Sequence, residues 1–130
     1  NPMQSGGNMI DNFEEETSPL TDDEMKIVPL FIDNLPKYQK GNCIATNILV
    51  TKFNEFTERN KDSKLPKLTP TRVRKIVGYL RRTSVLPVLA SNKGYYVSED
   101  KADIAKEAAS LRQRADAIIQ AAIGLEKFLV

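Results

Sequence analysis

The stretch from residue 69 to residue 82 has the clearest hydrophobic periodicity in the chain, and it predicts an α-helix. Thr69 is suited to cap the first free N–H groups, and Pro70 stands at the first helical position, where its missing N–H costs nothing. The apolar residues recur at i, i+3, i+4 and i+7, so they define one buried stripe: Val73, Ile76, Val77 and Leu80.

The opposite face of this helix is polar and basic. At about 100° per residue, that face comprises Thr71, Arg74, Lys75, Gly78 and Arg82. It has three cations and no acid, and its glycine would let the helix axis approach a ligand closely. Such a face suits the major groove of DNA, where long cations reach base edges or phosphates. An ordinary solvated face is the alternative that the pattern leaves open.

A first helix is predicted from a capping box formed by Thr21 and Glu24. Pro29 lies inside this segment, so it should kink the helix or shift its true start. The predicted buried stripe of this helix is Met25, Val28, Ile32 and Leu35.

A second helix is predicted after a short strand at 42–45, with Thr46 or Asn47 as its cap. Its inward residues are expected to be Ile48, Leu49, Phe53 and Phe56, and its outward residues Lys52, Glu55, Glu58 and Arg59. The polar connector at 59–68 is longer than a tight helix-turn-helix turn. It could hold an extra helical turn, lie along a phosphate backbone, or be an ordinary surface loop.

A β-hairpin is predicted after the basic helix. Residues 85–91 form its first strand, with Pro87 confined to an edge or a strand start. Residues 92–94, Asn-Lys-Gly, have strong turn chemistry, and residues 95–97, Tyr-Tyr-Val, form the return strand.

Residues 98–129 predict one long helix with a heptad seam. The seam steps by 4 and 3 alternately, with alanine in one position and isoleucine or leucine in the other: Ile104, Ala108, Leu111, Ala115, Ile118, Ala122, Leu125 and Leu129. Small residues at every seventh position let two helices approach closely. We favour a homodimer joined through this seam, with two half-sites roughly 34 Å apart. The alternative is that the helix folds back over the first helix of its own chain.

Charge is distributed unevenly along the 130 residues. Residues 37–82 hold twelve cations and three acids, a net charge of +9, whereas residues 1–36 hold one cation and eight acids. The basic charge is therefore concentrated around the basic helix, which favours a polyanionic partner. Residues 1–19 predict a disordered acidic tail or a cloning remnant.

The composition argues against several classes of function. The chain has one cysteine, Cys43, and no histidine, which excludes an intramolecular disulfide, a multi-cysteine zinc site and histidine-based catalysis. No glycine-rich phosphate loop and no apolar run of membrane-spanning length is visible. We therefore expect a cytoplasmic protein that is not an enzyme, with no cofactor, no metal and no small-molecule substrate.

The order of helix, short strand, helix, basic helix, strand, turn and strand resembles the winged helix-turn-helix superfamily over residues 20–98. The segments Arg-Lys-Ile-Val-Gly-Tyr-Leu-Arg-Arg at 74–82 and Leu-Ala-Ser-Asn-Lys-Gly-Tyr-Tyr-Val at 89–97 look like small winged-helix proteins of phages and mobile elements. The resemblance implies a mainly α fold with a small β-hairpin (α+β), a winged helix-turn-helix followed by a long C-terminal helix. It also implies that the basic helix docks in the major groove and the hairpin docks beside it. The long connector at 59–68 departs from the family pattern.

These observations together predict a double-stranded DNA-binding protein, a dimeric transcriptional or replication regulator of phage or mobile-element origin. Arg74 and Lys75 are the first candidates for base contacts, with Thr71 near the helix N-terminus. The full predicted DNA-binding set is Thr71, Arg72, Arg74, Lys75, Gly78, Tyr79, Arg81, Arg82, Lys64, Lys67, Asn92 and Lys93. The alternatives are a winged-helix adaptor that binds proteins and a virion-assembly component that oligomerises through its long helix. The predicted organisation is a tail at 1–19, a domain at 20–98 and a helix at 99–130.

Overall fold

The protein is described by a computed structural model over residues 18–130, in two units, one ending at Ser98 and one beginning at Glu99. Residues 1–17 of the tail predicted at 1–19 lie outside the described part of the chain. The described chain is mainly helical, with a two-stranded antiparallel hairpin and a long C-terminal helix, as the sequence predicts.

The first unit begins with two short helices instead of one. These are α1 (Asp22–Met25) and α2 (Val28–Asn34), and a 3-10 turn (Leu35–Lys37) continues α2. Pro29 lies in the first turn of α2, where its missing N–H has no partner to lose, so the predicted shift in helix start is confirmed.

The next two helices are α3 (Thr46–Arg59) and α4 (Pro70–Arg82). The cap predicted for α3 is wrong, because its N-cap residue is Ala45 and no side chain bonds there. The connector between the helices does hold an extra helical turn, a 3-10 turn at Lys61–Ser63. Asn54 of α3 fixes the end of the connector through two hydrogen bonds to the Leu68 backbone. Its Oδ1 accepts from the Leu68 N–H (2.8 Å), and its Nδ2 donates to the Leu68 carbonyl (3.0 Å).

The hairpin consists of β1 (Val88–Ser91) and β2 (Gly94–Val97), in a register that pairs Val88 with Val97. Ile44 adds a one-residue bridge to Tyr95, through N–H to carbonyl bonds of 2.9 Å in both directions. The strand predicted at 42–45 is therefore reduced to this bridge.

The core of the first unit lies where α1–α4 and the hairpin meet. Its fully buried large side chains are Ile27, Leu35, Leu68, Ile76, Leu80, Val73 and Val88. The stripe predicted for the first helix is partly wrong: Met25 is exposed, whereas Ile27 and Phe31 are buried. Pro29 divides the segment into two helices, so a periodicity counted across it loses register. On α3, Ile48 and Phe56 are exposed rather than inward-facing, and Phe53 is buried.

The second unit is a single long helix, α5 (Lys101–Glu126), followed by a 3-10 turn (Lys127–Leu129). Asp100 caps it by accepting from the N–H groups of Ala102 (2.8 Å) and Asp103 (3.2 Å). The predicted helix therefore starts three residues later than its pattern suggested. None of the residues of α5 is buried.

Candidate nucleic-acid interface

The ends of α4 are fixed by local bonds that the sequence encodes. Thr69 Oγ1 accepts from the Arg72 N–H (3.2 Å), which confirms the predicted cap. After the helix, Ser84 adopts a left-handed conformation (φ 56°), and the Val85 N–H donates to the Leu80 carbonyl (3.0 Å). This closing turn is a Schellman motif with serine where glycine is usual. Because the Val85 N–H is bonded within this turn, Val85 does not pair in the hairpin. β1 therefore begins three residues later than predicted.

The buried stripe of α4 is confirmed. Val73, Ile76, Val77 and Leu80 are each at most 2% exposed. Burial of this stripe turns the other side of the helix away from the core, because the two stripes are about half a turn apart. The outward stripe that results is Thr71, Arg74, Gly78 and Arg82.

The outward stripe has its own short-range order. Arg74 Nη2 donates to Thr71 Oγ1 (3.3 Å), so this guanidinium lies toward the N-terminal turn. At the other end, the Arg82 side chain lies over Gly78, since a Cβ added at Gly78 would come within 3.0 Å of Arg82 Nη1. The backbone positions of the two arginines are about 12 Å apart along the helix axis, and the Arg82 side chain occupies the space beside Gly78.

Lys75 does not lie on this surface, although its helical position predicts that it should. It is 5% exposed, and its Nζ donates to Glu24 Oε1 at 2.7 Å. Glu24 belongs to α1, which packs against this side of α4. A helical projection of α4 alone does not include that contact. The prediction that Lys75 faces outward is wrong for this reason, and a buried, paired ammonium is not placed to reach DNA.

Glu24 is the ionic centre of the interface between α1 and α4. Its Oε1 also accepts from the Thr21 N–H (2.9 Å), and its Oε2 accepts from Arg72 Nε (3.2 Å). Burial by itself raises the pKa of Glu24, but the bonds from Lys75, the Thr21 backbone and Arg72 outweigh it. The pKa of Glu24 is therefore lowered, and the carboxylate stays charged between two cations.

Arg72 and Arg81 also make bonds within the protein. Arg72 Nη1 donates to the Lys67 carbonyl (2.6 Å) in addition to its pair with Glu24, so it fixes the connector to α1. Arg81 Nε donates to the Val88 carbonyl (2.7 Å) and joins the end of α4 to the start of β1. Tyr79 is half-buried and packs against the core. These three residues hold elements together around the outward stripe.

The turn of the hairpin presents Asn92 and Lys93, which are both exposed. Ser91 orders this turn, because its Oγ accepts from the Lys93 N–H (3.1 Å). Gly94 is required where the turn enters β2, since its φ is +142° and a Cβ there would clash with the Ile44 carbonyl. Lys64 and Lys67 are also exposed, on the connector before α4.

The structure therefore sorts the twelve predicted residues into three groups. Lys75 is buried, and Arg72, Tyr79 and Arg81 are half-buried with structural contacts. The third group comprises the outward stripe of α4, on which Thr71, Arg74 and Gly78 are half-buried and Arg82 is exposed, together with four exposed residues of the connector and the turn: Lys64, Lys67, Asn92 and Lys93. Glu24 and Asn54 are the residues that the sequence reasoning did not assign. The capping-box glutamate was visible in the sequence, but nothing local indicated that its Oε1 also accepts from a lysine 51 residues away.

Residues 18–130 contain no group of three or more cysteine, aspartate or glutamate side chains placed to hold a metal ion. Within the same residues, no helix combines the length and apolar character needed to cross a bilayer. In comparisons with known proteins, no family model, curated protein or solved structure matches the chain. Its function is therefore inferred from the geometry of the chain itself.

Proposed function

We propose that this protein binds double-stranded DNA as a winged-helix protein, with α4 in the major groove and the β1–β2 turn on the neighbouring backbone. It would act as a transcriptional or replication regulator, of the kind found in phages and mobile elements. The observation that supports this proposal most is the outward stripe. Arg74 and Arg82 lie on the side of α4 opposite its buried stripe, and Lys75 is bonded to Glu24 instead.

The dimensions of α4 fit this role. Its thirteen residues span about 20 Å, and the major groove is about 12 Å wide, so the helix can lie along the groove with one stripe toward the bases. Gly78 has no side chain of its own, so only the flexible Arg82 side chain that lies over it must move for α4 to approach the groove floor. Arg74 is our candidate for a base contact, since an arginine pairs with guanine through two hydrogen bonds.

The remaining cations suit phosphate contacts. Lys64 and Lys67 precede α4, Arg82 ends it, and Lys93 stands at the tip of the turn, so exposed positive charge flanks the outward stripe along the chain. Contacts to phosphate supply affinity without sequence preference and make binding depend on salt. Arg72 and Arg81 are reassigned from phosphate contacts to positioning α4.

The test is a fluorescence anisotropy titration on random duplex DNA at low and moderate salt, followed by selection of a preferred site. On the selected site, Arg74→Ala should cost about 1–3 kcal/mol of binding free energy. Lys93→Ala should weaken binding to all sequences alike and reduce the salt slope by about 1. Lys106→Ala removes the same charge from an exposed position on α5 and should leave affinity unchanged. Absence of salt-dependent binding by the native chain would refute the proposal.

The adaptor function remains a second candidate because of an apolar groove on another side of the first unit. The groove, about 180 Å³, lies between α2 and α3 and is lined by Leu30, Leu49, Phe53 and Phe56 among others. Lys37 and Lys52 flank it over the Tyr38 ring, at 5.4 and 5.9 Å from the ring centre. Such a groove suits an amphipathic acidic segment of a protein partner. If Lys52→Glu abolished a protein interaction while DNA binding was absent, the adaptor function would be preferred.

A further inference from the structure

The C-terminal half of α5 is an exposed apolar surface. Every residue from 112 to 130 is exposed, and the large apolar side chains stay in solvent: Ile118 is 59% exposed, Ile119 55%, Leu125 68% and Phe128 85%. A helix of this length gains most of its stability from packing an apolar face rather than from its own propensity. A contiguous exposed apolar surface of this kind marks an interaction site.

The spacing of this surface matches a second copy of the same helix. Ala108, Ala115 and Ala122 occupy one seam position, and Leu111, Ile118 and Leu125 occupy the other, with steps of three and four residues. Two helices that share this seven-residue repeat pack along each other over several turns.

The sizes of the seam residues select the antiparallel orientation. In a parallel pair, each seam residue faces its own equivalent, so alanine would face alanine and leucine would face leucine. Layers with a void between two alanines would then alternate with layers crowded by two leucines or two isoleucines. In an antiparallel pair, the alanine positions face leucine or isoleucine positions of the other copy. With Ala115 opposite Leu125, Ala122 faces Ile118, so these central layers have nearly the same volume, and Leu111 faces Leu129 at each end. Such alternation of large and small residues allows close packing without voids.

The charges beside the seam select the register. When Ala115 faces Leu125 of the second copy, Arg112 stands opposite Glu126 of that copy, and the two-fold symmetry repeats this pair at the other end. Glu126 lies in the last turn of α5, where a carboxylate is unfavourable next to the negative end of the helix dipole, so a facing cation stabilises it.

The neighbouring registers are less favourable. A shift of one heptad toward the N-terminus places Arg112 opposite Ile119 and draws in Ile104, which is half-buried within the single chain. A further heptad in the same direction places Arg112 opposite itself, and like charges in that position are destabilising. The register with Arg112 opposite Glu126 pairs residues 111–129, all of which except the half-buried Leu111 are exposed.

We propose that two copies of this chain pair through the C-terminal halves of α5, antiparallel and centred near Gln120, with Arg112 of each copy against Glu126 of the other. The same residues would then determine both the number of chains in the assembly and the antiparallel orientation of the two helices. The proposal concerns the second unit and does not rest on DNA binding.

A charge-exchange experiment on the full-length chain tests the register. Arg112→Glu and Glu126→Arg should each raise the dimer dissociation constant roughly tenfold, because each converts two attractive pairs into repulsive ones. The double variant should restore dimerisation to near the native level. The two residues are 14 positions apart on one helix, about 21 Å, so they cannot compensate for each other within a chain. Sedimentation equilibrium gives the dissociation constants, and circular dichroism checks that each variant is folded.

A matched control is Lys127→Glu, a charge reversal that lies away from the seam and should leave dimerisation unchanged. A chain that stays monomeric at high micromolar concentration would overturn the proposal. Failure of the double variant to recover, after both single variants weaken the dimer, would overturn the register.

Disulfide trapping tests the polarity independently. In a Cys43→Ser background, Arg112→Cys chains mixed with Glu126→Cys chains should form a crosslinked heterodimer under mild oxidation. Ala115→Cys chains should crosslink to each other poorly, because antiparallel pairing separates these two positions. Efficient crosslinking through Ala115→Cys would indicate a parallel pair and would contradict the proposal.

Discussion

Two amphipathic helices of this protein, α4 and α5, differ in what covers their apolar faces. In α4, thirteen residues long, the apolar stripe is fully buried by the rest of the first unit. In α5, twice as long, no residue is buried, and its apolar residues from Ile118 onward are exposed. Both helices have a capped N-terminus and a regular apolar spacing, so the sequence pattern alone makes them look alike.

The difference shows that periodicity indicates which face of a helix needs cover but not what covers it. The α4 stripe is covered by the chain itself, and the opposite stripe faces away from the core. The α5 seam is exposed from residue 112 onward, and its spacing is regular enough to pair with a second copy. We therefore expect substitutions on α4 to act on folding or DNA binding, and substitutions on α5 to act on association.

The largest expected effect is at the ion cluster that fastens α4 to α1. Glu24→Gln should destabilise the first unit by about 3–5 kcal/mol, because it leaves the Lys75 ammonium buried without its carboxylate. Urea unfolding at neutral pH measures this loss. Asp23→Asn, one residue away and exposed, should change stability by no more than about 0.5 kcal/mol.

The same cluster gives stability a defined dependence on pH. The pKa of Glu24 is lowered from its ordinary value of 4.5, so the folded state binds the proton less readily than the unfolded state. The contribution of Glu24 is therefore complete above the ordinary pKa and is lost as the pH falls through the lowered one. The free energy of unfolding of the native chain should fall over that acidic range more than that of Glu24→Gln. Parallel curves would contradict the assignment.

A matched pair of isoleucines compares the two helices directly. Ile76→Ala on α4 should cost about 2–5 kcal/mol of unfolding free energy, because it opens a cavity in the core. Ile118→Ala on α5 should leave the unfolding of the dilute monomer nearly unchanged and instead raise the dimer dissociation constant. An equal loss of monomer stability in both variants would mean that the α5 seam is covered within the chain.

The smallest expected effects come from the glycines of the two helices. Gly124→Ala has open space around it and should raise the helicity of α5, by about 1 kcal/mol in helix propensity. Gly78→Ala should raise helix propensity by a similar amount, reduced by the cost of moving the Arg82 side chain. It should also weaken DNA binding, because the added methyl group holds α4 away from the groove. Circular dichroism and anisotropy titrations separate these results. Unchanged affinity in Gly78→Ala would remove Gly78 from the proposed interface.

Local signals in the sequence predicted much of the fold. The capping box at Thr21 and Glu24, the cap and stripe of α4, and the hairpin turn before Gly94 were all found where the pattern placed them. These features depend on bonds between residues a few positions apart, so a local pattern is sufficient to show them. The exposed turn lysine, Lys93, and the outward position of Arg74 and Arg82 also followed from local spacing.

The failures share a different physical cause. Lys75, Ile48 and Phe56 were assigned to the wrong side because exposure depends on which neighbouring element packs there. The bond between Glu24 and Lys75 links positions 51 residues apart, and neither residue type indicates the pairing. The candidate site was thus predicted as a region, and the structure reduced it to fewer residues.

By itself, the sequence determined the positions of α4, α5 and the hairpin to within about three residues, because helix caps, turn residues and hydrophobic spacing act over a few residues. It also determined that one helix is basic and that the last helix has a heptad seam. Only the tertiary structure decided which cations of α4 remain outside, since α1 brings a buried carboxylate to Lys75 and Arg72 and leaves Arg74 and Arg82 facing outward. A buried charge needs a partner at close range, and the partner that the chain supplies is set by the packing of distant segments.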